Sequence, residues 1–452
     1  MATTNVLLIT SDVVGERMAG PGIRFWEFAR VLSSHCQVTV AVPPFLEVGE
    51  LAPVPDFPAT VHICRRTEEL RRLVAGADVI VTLGAVLLVY PFLAQTGKPL
   101  VVDAYDPFMF AGLEQYSHAA HAKRLAVHED YRRALLISLR AADLVLCASE
   151  RQRDYWLGML SAIGRVNPHT HDDDPTLRRL VQVVPFGLPS APPRHTNSVL
   201  KGVYPGIGPE DKVVLWGGGI WNWFDAPTAV RAMARIAARR SDVKLFFMGT
   251  ERPNPKIPKM AALDEVVSLS RRLGLIDKCI MFNDWVPYAN RHNYLLEADI
   301  GLSLNRDIAE NHFAFRTRYM DYLWAGLPIV ATEGDVLSEV VRESRLGTLV
   351  PPGDEEATAA AIVELLDKPN LRGSYQSCFA PVALRYHWDV VTQPLVAFCS
   401  EPRLAPDKEY LKSLAVTLTP KRWKLMPDRV RERLRESRLG RVLRKLKQRL
   451  GR

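Results

Sequence analysis

Two arginines flank a threonine at the start of a helix that the sequence predicts: Arg316, Thr317 and Arg318. The first backbone N–H groups of a helix have no partner within it, so they favour an anion, and guanidinium groups add forked, charged donors. Gly326 predicts the end of this helix, and Pro328 prevents its continuation. The pattern is suited to holding a diphosphate. An amphipathic helix with two solvated arginines is the alternative that composition leaves open.

Glycine-rich turns follow two predicted strands and provide a second set of candidates. One turn follows the apolar run at Asn5–Thr10, and the other follows Lys212–Trp216. Their candidate residues are Gly20, Gly22, Arg24, Gly218 and Gly219. Glycine lets the backbone approach a ligand closely, so both turns are suited to phosphate, with Arg24 as a nearby cation. A plain connection between strand and helix is the alternative for each turn.

Carboxylates stand near the ends of further predicted strands. Asp106 follows the strand at Leu100–Asp103, and Glu310 comes after the strand at Ile300–Leu304. Ligands of open α/β sheets bind at the carboxyl ends of the strands, so both carboxylates are candidates for contacting a substrate. For Asp106, which precedes Pro107, a capping role in a turn is the alternative.

Predicted strands and helices alternate along most of the chain. This alternation is typical of an α/β protein with doubly wound parallel sheets. The segment Ser190–Asn197 contains Pro192 and Pro193 and predicts a linker. A second series of strands and helices begins after it, so the sequence predicts two domains of similar layout.

The segment around Gly326 and Pro328 resembles the donor site of family 4 retaining glycosyltransferases, which have the GT-B fold. In that family a Glu-x7-Glu motif precedes a run of a small residue, Gly, x, Pro, Val and Val. Alignment on the glycine and the proline places the second acidic residue at Asp321 and the first at Phe313, which is not acidic. Glu310 is the nearest acidic residue that precedes this position.

The resemblance implies a role for each candidate. Arg316, Thr317 and Arg318 would hold the donor diphosphate, Asp321 the ribose, and Glu310 the donor sugar. Asp106 would orient sugar or acceptor hydroxyls. The glycines of the two turns, with Arg24, would lie against the phosphates. The remaining donor contacts would come from Asn283, Val286 and Phe315.

Two segments depart from the family pattern. Many members carry an Arg and a Lys after the second glycine turn, whereas residues 220–225 form the largely aromatic run Ile-Trp-Asn-Trp-Phe-Asp. Arg316, Arg318 and Arg24 are the available substitute cations. The interdomain signature at Val183–Pro189 has Phe186 in place of the usual Asn, and we interpret it as a hinge marker.

The resemblance implies an α/β protein of the GT-B fold, with two doubly wound Rossmann-like domains that face a cleft. Residues 1–195 would form the acceptor-side domain and residues 196–384 the nucleotide-sugar-binding domain. A crossover helix at residues 385–400 would pack back on the first domain, and residues 401–452 would form a basic amphipathic tail. The terminal helix was expected within Val382–Cys399.

The implied activity is retaining transfer of a hexosyl-type sugar from a nucleoside-diphosphate sugar to an acceptor hydroxyl. A glycan or lipid-linked acceptor in bacterial surface-polysaccharide assembly is expected. The family needs no metal and no cofactor besides its donor substrate. A nucleotide-sugar epimerase of the same fold and a non-catalytic nucleotide-sugar-binding or scaffold protein are the alternatives.

Composition limits the class of protein. The chain has 452 residues, 48% hydrophobic and 24% charged, which is ordinary for a soluble globular chain of two domains. Its six cysteines are scattered, which favours reduced thiols in the cytoplasm and makes a zinc site improbable. No signal peptide is recognised near Met1. The uncharged run Val79–Gly97 predicts a strand, a turn and a helix rather than a membrane span.

The basic charge is concentrated at the C-terminus. Residues 421–452 contain 14 Lys and Arg against 3 Asp and Glu, a net +11, so the remainder of the chain carries −3 of the total +8. Apolar residues recur at helical spacing in this segment, which favours a peripheral helix on an anionic membrane surface at the inner face of the cytoplasmic membrane. An inert or disordered tail and nucleic-acid binding are the alternatives; nucleic acid is disfavoured because the body lacks aromatic and basic patches.

Overall fold

The computed structural model describes residues 3–16, 18–47, 57–250, 254, 257 and 259–417. The predicted basic tail at residues 421–452 lies outside the described residues.

The first domain is built on a seven-stranded, fully parallel sheet. Its strands are β1 (Asn5–Ile9), β2 (Gln37–Val42), β3 (Thr60–Ile63), β4 (Val79–Leu83), β5 (Leu100–Asp103), β6 (Leu144–Cys147) and β7 (Val181–Val183). They lie in the order β3-β2-β1-β4-β5-β6-β7. The helices are α1 (Gly20–Leu32), α2 (Thr67–Gly76), α3 (Gly84–Val89), α4 (Phe108–Gln115), α5 (His121–Ala141), α6 (Glu150–Ala162) and α7 (Pro168–Asp173), with 3₁₀ turns at Pro44–Leu46 and Pro91–Gln95.

The second domain has a six-stranded parallel sheet in the order β10-β9-β8-β11-β12-β13. Its strands are β8 (Lys212–Trp216), β9 (Val243–Phe247), β10 (Ile280–Phe282), β11 (Ile300–Ser303), β12 (Ile329–Thr332) and β13 (Gly347–Val350). Its helices are α8 (Ala226–Ala237), α9 (Ala261–Arg272), α10 (Arg291–Glu297), α11 (Ala309–Phe313), α12 (Arg318–Ala325), α13 (Val336–Glu343) and α14 (Glu355–Leu366), with a 3₁₀ turn at Tyr288–Asn290.

The inner strands are buried on both faces, which explains their near-continuous apolar sequences. In β1, the residues from Val6 to Ile9 are all 2% exposed or less, and β12 and β9 are buried along their whole length. The edge strand β3 is different, because its residues are exposed or half-buried. Its pattern therefore lacks the apolar run that reveals the other strands, and the sequence analysis did not predict it.

The predicted glycine turn after β1 proves to be the first turn of a helix. The sequence predicts that Gly20 and Gly22 lie in a turn, whereas α1 begins at Gly20 with Pro21 in its first turn. Proline is tolerated there because the first N–H groups of a helix have no partner within the helix. The run at Val79–Gly97 forms β4, α3 and a 3₁₀ turn, in agreement with the predicted strand, turn and helix. No helix that the structure describes is long and apolar enough to span a membrane.

The C-terminal part returns to the first domain through several helices. They are α15 (Leu371–Arg385), α16 (Trp388–Val391), α17 (Gln393–Ser400) and α18 (Lys408–Thr417). The expectation of one terminal helix in Val382–Cys399 is corrected, because the chain leaves the helix at Tyr386 and His387. Trp388 N donates to Leu188 O, and Leu188 N donates to Tyr386 O, so the terminal segment pairs with the hinge.

Packing and a buried ion pair hold this returning segment in place. The Trp388 ring contacts Phe28 of α1 and Phe186 of the hinge, with ring centres 6.1 and 4.8 Å away. Further along, Arg165 donates a forked pair of hydrogen bonds to Asp407 at 2.7 and 3.1 Å, and both side chains are fully buried. The predicted start of the basic tail at residue 401 is therefore wrong, because the first residues of the range 401–452 belong to the folded body.

Candidate active site

The carboxyl ends of both sheets face one cleft between the domains. Two adjoining pockets occupy it, with cavity volumes of about 150 and about 370 Å³. Gly20, Trp221, Phe224, Arg316 and Thr317 line both pockets, so they form the shared wall between them. We call the pocket that extends toward Asp321 the nucleotide-side pocket, and the one that extends toward Asp106 the acceptor-side pocket.

Arg318 is a buried cation at the first residue of α12. Thr317 is the N-cap, and the helix ends at Gly326 in the left-handed conformation, as the sequence predicts. Arg318 is 6% exposed, and its Nη2 donates to Gly219 O at 3.2 Å. Its Nη1 has no hydrogen-bond partner within the part of the chain that the structure describes. Burial lowers the pKa of Arg318 to about 10, so the group stays charged at neutral pH and favours an anion in the pocket.

Arg316 is also buried, but most of its donors are already used. It donates to both oxygens of Glu310, at 2.9 and 2.6 Å, and to Asn311 Oδ1 at 3.0 Å. Only Nε is without a partner among the described residues. The two predicted phosphate-binding arginines therefore differ: Arg318 is the more available cation, whereas Arg316 forms a pair with Glu310 and keeps Nε as its unpaired nitrogen among the described residues.

The glycine turn after β8 lies beside Arg318. Gly218 has φ of +89°, a conformation that residues with a Cβ rarely adopt. The hydroxyl oxygen of Tyr322, on α12, accepts a hydrogen bond from Gly217 N at 2.8 Å. Tyr322 is fully buried against β8 and β11, so α12 and the glycine turn hold a fixed relative position.

Aromatic rings fill the space where the resemblance places cations. Trp221 and Trp223 stack in parallel, with ring centres 5.3 Å apart and planes 4° apart. The Arg318 guanidinium lies 4.0 Å from the centre of the Phe224 ring and 4.5 Å from that of Trp216. Contacts at these distances stabilise a partly desolvated cation. The Phe224 ring of the aromatic run therefore contacts and positions Arg318, the cation that comes from α12.

The nucleotide-side pocket contains an ordered ion pair. Arg291 Nε donates to Asp321 Oδ1 at 2.8 Å, and its guanidinium lies between the rings of Tyr288 and Trp324, at 3.6 and 4.7 Å. The indole N–H of Trp285 lines the same pocket and is buried without a partner among the residues described. These groups can hold a planar base and a ribose.

The acceptor-side pocket contains carboxylates from the first domain. Asp106 is exposed to the open pocket. Desolvation by the surrounding protein, followed by the negative charge of Glu310, raises its pKa to about 7. Asp12 is buried, which raises its pKa to about 6, and it accepts hydrogen bonds from Val13 N at 2.8 Å and from Asn254 Nδ2 at 2.9 Å. The sequence analysis missed Asp12, although it is among the first polar residues after β1.

Two predicted donor contacts in the first domain are corrected. Arg24 is fully buried and donates to Asp103 at 2.7 and 3.0 Å, and to the carbonyls of Val184 and Pro185. It anchors α1 to the hinge and lies outside both pockets. Gly22 also lies outside them: a Cβ there would be 2.1 Å from Val13 O, so the glycine is needed for packing.

A third predicted contact, Asn283, is structural as well. Its side chain donates to Met248 O at 3.1 Å, and its carbonyl accepts from Thr250 N at 3.0 Å, so it stabilises the turn and lines neither pocket. The remaining predicted residues line the cleft: Gly20, Asp106, Gly218, Gly219, Val286, Glu310, Phe315, Arg316, Thr317, Arg318 and Asp321. Across the described ranges, no three His, Cys, Asp or Glu side chains are grouped to hold a metal ion.

Two Rossmann-like domains that face each other across such a cleft define the GT-B fold. Residues 211–368, which carry the second glycine turn and the start of α12, match the family described as Glycosyl transferases group 1. The GT-B fold that the resemblance implies is confirmed, and this match supports the resemblance to family 4 glycosyltransferases that was recognised in the sequence. Retention and a role in surface polysaccharide stay predictions.

Curated relatives match shorter parts of the chain. It is 40% identical over 72 residues to a phosphatidyl-myo-inositol mannosyltransferase of Mycobacterium leprae, which covers 16% of this chain and 19% of the relative. It is 26% identical over 213 residues to a D-inositol 3-phosphate glycosyltransferase of Acidothermus cellulolyticus, 46% of this chain and 45% of the relative. The chain spans less than half the length of these relatives.

A solved structure resembles almost the whole chain. Anabaena Alr3699/HepE, in complex with UDP and glucose, has a TM-score of 0.61 and 16% sequence identity. The match covers 88% of this chain and 100% of that one. At this level of identity, the likeness concerns the fold.

Proposed function

We propose that this protein transfers a sugar from a nucleoside-diphosphate sugar to an acceptor hydroxyl. The observation that supports the proposal is the buried guanidinium of Arg318, which lies beside the Gly218–Gly219 turn at the start of α12. Its Nη1 has no hydrogen-bond partner among the residues that the structure describes. A buried cation without a counter-ion is costly unless a ligand supplies the negative charge. A diphosphate is an anion of suitable size and geometry for a guanidinium and the N–H groups of a helix start.

The same groups would assist the reaction. When the bond between the sugar and the diphosphate breaks, negative charge increases on the departing phosphate. Three sets of hydrogen-bond donors are fixed in place before that charge develops: the Arg318 guanidinium, Nε of Arg316 and the N–H groups at the start of α12. Preorganised donors of this kind stabilise a transition state more than a ground state.

The acceptor would enter from the side of Asp106 and Asp12. An ionised Asp106 can accept a hydrogen bond from the attacking hydroxyl and orient it, and Glu310, held by Arg316, can contact the donor sugar. Retention of anomeric configuration is part of the proposal and comes from the family resemblance. NMR analysis of the anomeric proton of the first product tests it.

The relatives inform the choice of substrates. One is named as a mannosyltransferase of phosphatidyl-myo-inositol, another as a glycosyltransferase of D-inositol 3-phosphate, and HepE was solved with UDP and glucose. We propose a hexose donor carried on a nucleoside diphosphate, and a glycan or lipid-linked acceptor in polysaccharide assembly. The arginine and backbone N–H groups of the cleft are suited to hold the diphosphate by hydrogen bonds. We propose that these groups, in place of a metal ion, neutralise the charge of the diphosphate during transfer.

The basic segment 421–452 supports a location at the inner face of the cytoplasmic membrane. Its net charge of +11 and its recurrent leucines are suited to an anionic surface. Sedimentation with phosphatidylglycerol vesicles tests this, with a chain that ends at residue 417 and phosphatidylcholine vesicles as controls. Equal sedimentation of both chains would contradict it.

The experiment that tests the proposed reaction is a donor panel. Thermal unfolding with UDP-, GDP-, ADP- and dTDP-sugars identifies a ligand, because binding to the native state raises Tm. The donor that binds is then incubated with labelled sugar and glycan or lipid acceptors. Transfer of label supports the proposal. Binding without turnover would favour a nucleotide-sugar-binding protein. Conversion of the labelled nucleotide-sugar into its epimer, without transfer to an acceptor, would favour an epimerase.

A further inference from the structure

Phe313 contacts the first domain although it belongs to the second. Its ring stacks on Phe110 of α4, with centres 5.3 Å apart and planes 13° apart. It also lies 5.1 Å from the Tyr155 ring of α6. Phe313 occupies the position at which the family motif has its first acidic residue. In this chain it therefore joins the two domains across the cleft by aromatic packing.

Gln152 reinforces this contact from the first domain. It lies in the first turn of α6 and is fully buried. Its Nε2 donates to Phe313 O at 2.8 Å and to Tyr105 O at 2.7 Å, while its Oε1 accepts from Ala148 N at 2.7 Å. Both amide donors are used, so the side chain is held in one orientation.

The two carbonyls belong to the segments that carry the candidate reacting groups. Tyr105 immediately precedes Asp106, and Phe313 lies between Glu310 and Arg316. One side-chain amide thus joins a segment of each domain at the acceptor-side pocket. We propose that Gln152 is a positioning residue, and that its bridge together with the Phe313 packing aligns Asp106 with the Glu310–Arg316 pair when the domains close. This inference rests on the proposed function. We call Gln152, Phe313, Phe110 and Tyr155 the closure contact.

Closure and assembly of the site are then one event. When the cleft is open, the Gln152–Phe313 hydrogen bond is broken and Asp106 is separated from Glu310. A bound sugar donor then does not react. A closed cleft forms the bond, brings the two carboxylates to opposite sides of one pocket and reduces access of water to the donor. The nucleotide-side pocket does not include Gln152 or Phe313, so donor binding itself does not require them.

Another contact across the cleft provides a matched control. Arg306 donates to Glu114 Oε2 at 2.8 Å, and this ion pair is partly exposed. Neither side chain lines the nucleotide-side or the acceptor-side pocket. Glu114→Gln therefore weakens a link between the domains without changing the segments that carry Asp106 or Glu310.

The test compares Gln152→Met, Phe313→Leu and Glu114→Gln in the full chain. For the first two variants we expect kcat to fall at least tenfold, with the donor KM and the UDP dissociation constant within threefold of the parent. The fraction of donor lost to water should rise. Small-angle scattering with UDP should give a larger radius of gyration for these two variants, and Glu114→Gln should behave as the parent.

Several outcomes would overturn the inference. Unchanged kcat in both variants would do so, as would a donor KM that rises as much as kcat falls, or a loss that Glu114→Gln reproduces. If the parent turns over no donor, the proposed function fails, and the scattering comparison decides the role of the closure contact by itself. An unchanged radius of gyration in Gln152→Met and Phe313→Leu then refutes it.

Discussion

The guanidinium carbon of Arg318 lies 4.0 Å from the centre of the Phe224 ring. The aromatic residue comes from the segment where the family resemblance places an Arg and a Lys, and the cation comes from the start of α12. A cation over a ring in a desolvated site is stabilised by about 2 kcal/mol. The chain thus has a positive group at the proposed diphosphate position, but a different element supplies it.

Replacement of Phe224 should therefore weaken donor binding through Arg318. Phe224→Leu keeps an apolar side chain but removes the ring, so we expect nucleoside-diphosphate affinity to fall roughly 3- to 30-fold. Calorimetry with the donor's nucleoside diphosphate measures this. Val363→Ala controls for a general loss of packing, because Val363 packs against the same hydrophobic core but lines neither pocket. An equal loss of affinity in that variant would contradict a specific role for Phe224.

Removal of the cation itself should have a larger effect. Arg318→Ala deletes the unpaired donor and the only charge at that position, so we expect nucleoside-diphosphate affinity to fall about 100-fold, with little loss of stability because the buried charge is costly in the empty pocket. Arg342→Ala is the matched control, since Arg342 is exposed and pairs only with Glu333 in the described chain. Unchanged affinity in Arg318→Ala would refute the phosphate role.

The fold was predictable where local sequence determines structure. Buried parallel strands such as β5 and β8 consist mainly of apolar residues, and their bounds agree to the residue with those that the sequence predicts. The end of α12 was predictable because Gly326 and Pro328 mark it. The edge strand β3 was not, because its half-exposed residues lack such a run.

The site was less predictable because its charges are paired over long distances in sequence. Arg24 looks available in the sequence, but Asp103, 79 residues away, accepts its hydrogen bonds. The position of Phe313 was recognised as a departure from the family motif, but its partners Phe110 and Tyr155 are in the other domain. Only tertiary structure decides which charged groups remain free.

Asp106 predicts a pH dependence of activity. Because its pKa is raised to about 7, the carboxyl is protonated below that pH and is then an uncharged, weaker hydrogen-bond acceptor for the acceptor hydroxyl. We expect kcat/KM to rise with pH between 6 and 8 and then to level. Asp106→Asn should be slower and should lack this rise. Glu310, Arg316 and Asp103 face the same carboxyl. A rise that persists unchanged in Asp106→Asn would contradict the assignment of this pH dependence to Asp106.

The same shift predicts the sign of a stability effect. A carboxyl whose pKa is higher in the folded state contributes stability below its unfolded pKa, and this contribution is lost as pH rises through about 7. Between pH 5 and 8, the Tm of the parent should therefore fall relative to that of Asp106→Asn. A parallel pH dependence of Tm in the two proteins would contradict the raised pKa.

The buried Arg165–Asp407 pair predicts that the C-terminal segment is part of the folded first domain. Asp407→Ala would leave the fully buried Arg165 without its carboxylate, which costs about 3–5 kcal/mol. We expect Tm to fall by about 6 °C or more, measured by calorimetry or circular dichroism.

Lys412→Ala removes the exposed partner of Glu409 and should change Tm by no more than about 2 °C. Affinity for the nucleoside diphosphate should be unchanged in both variants at 25 °C, because neither residue lines the cleft. A Tm of Asp407→Ala equal to that of Lys412→Ala would show that the pair does not anchor the segment.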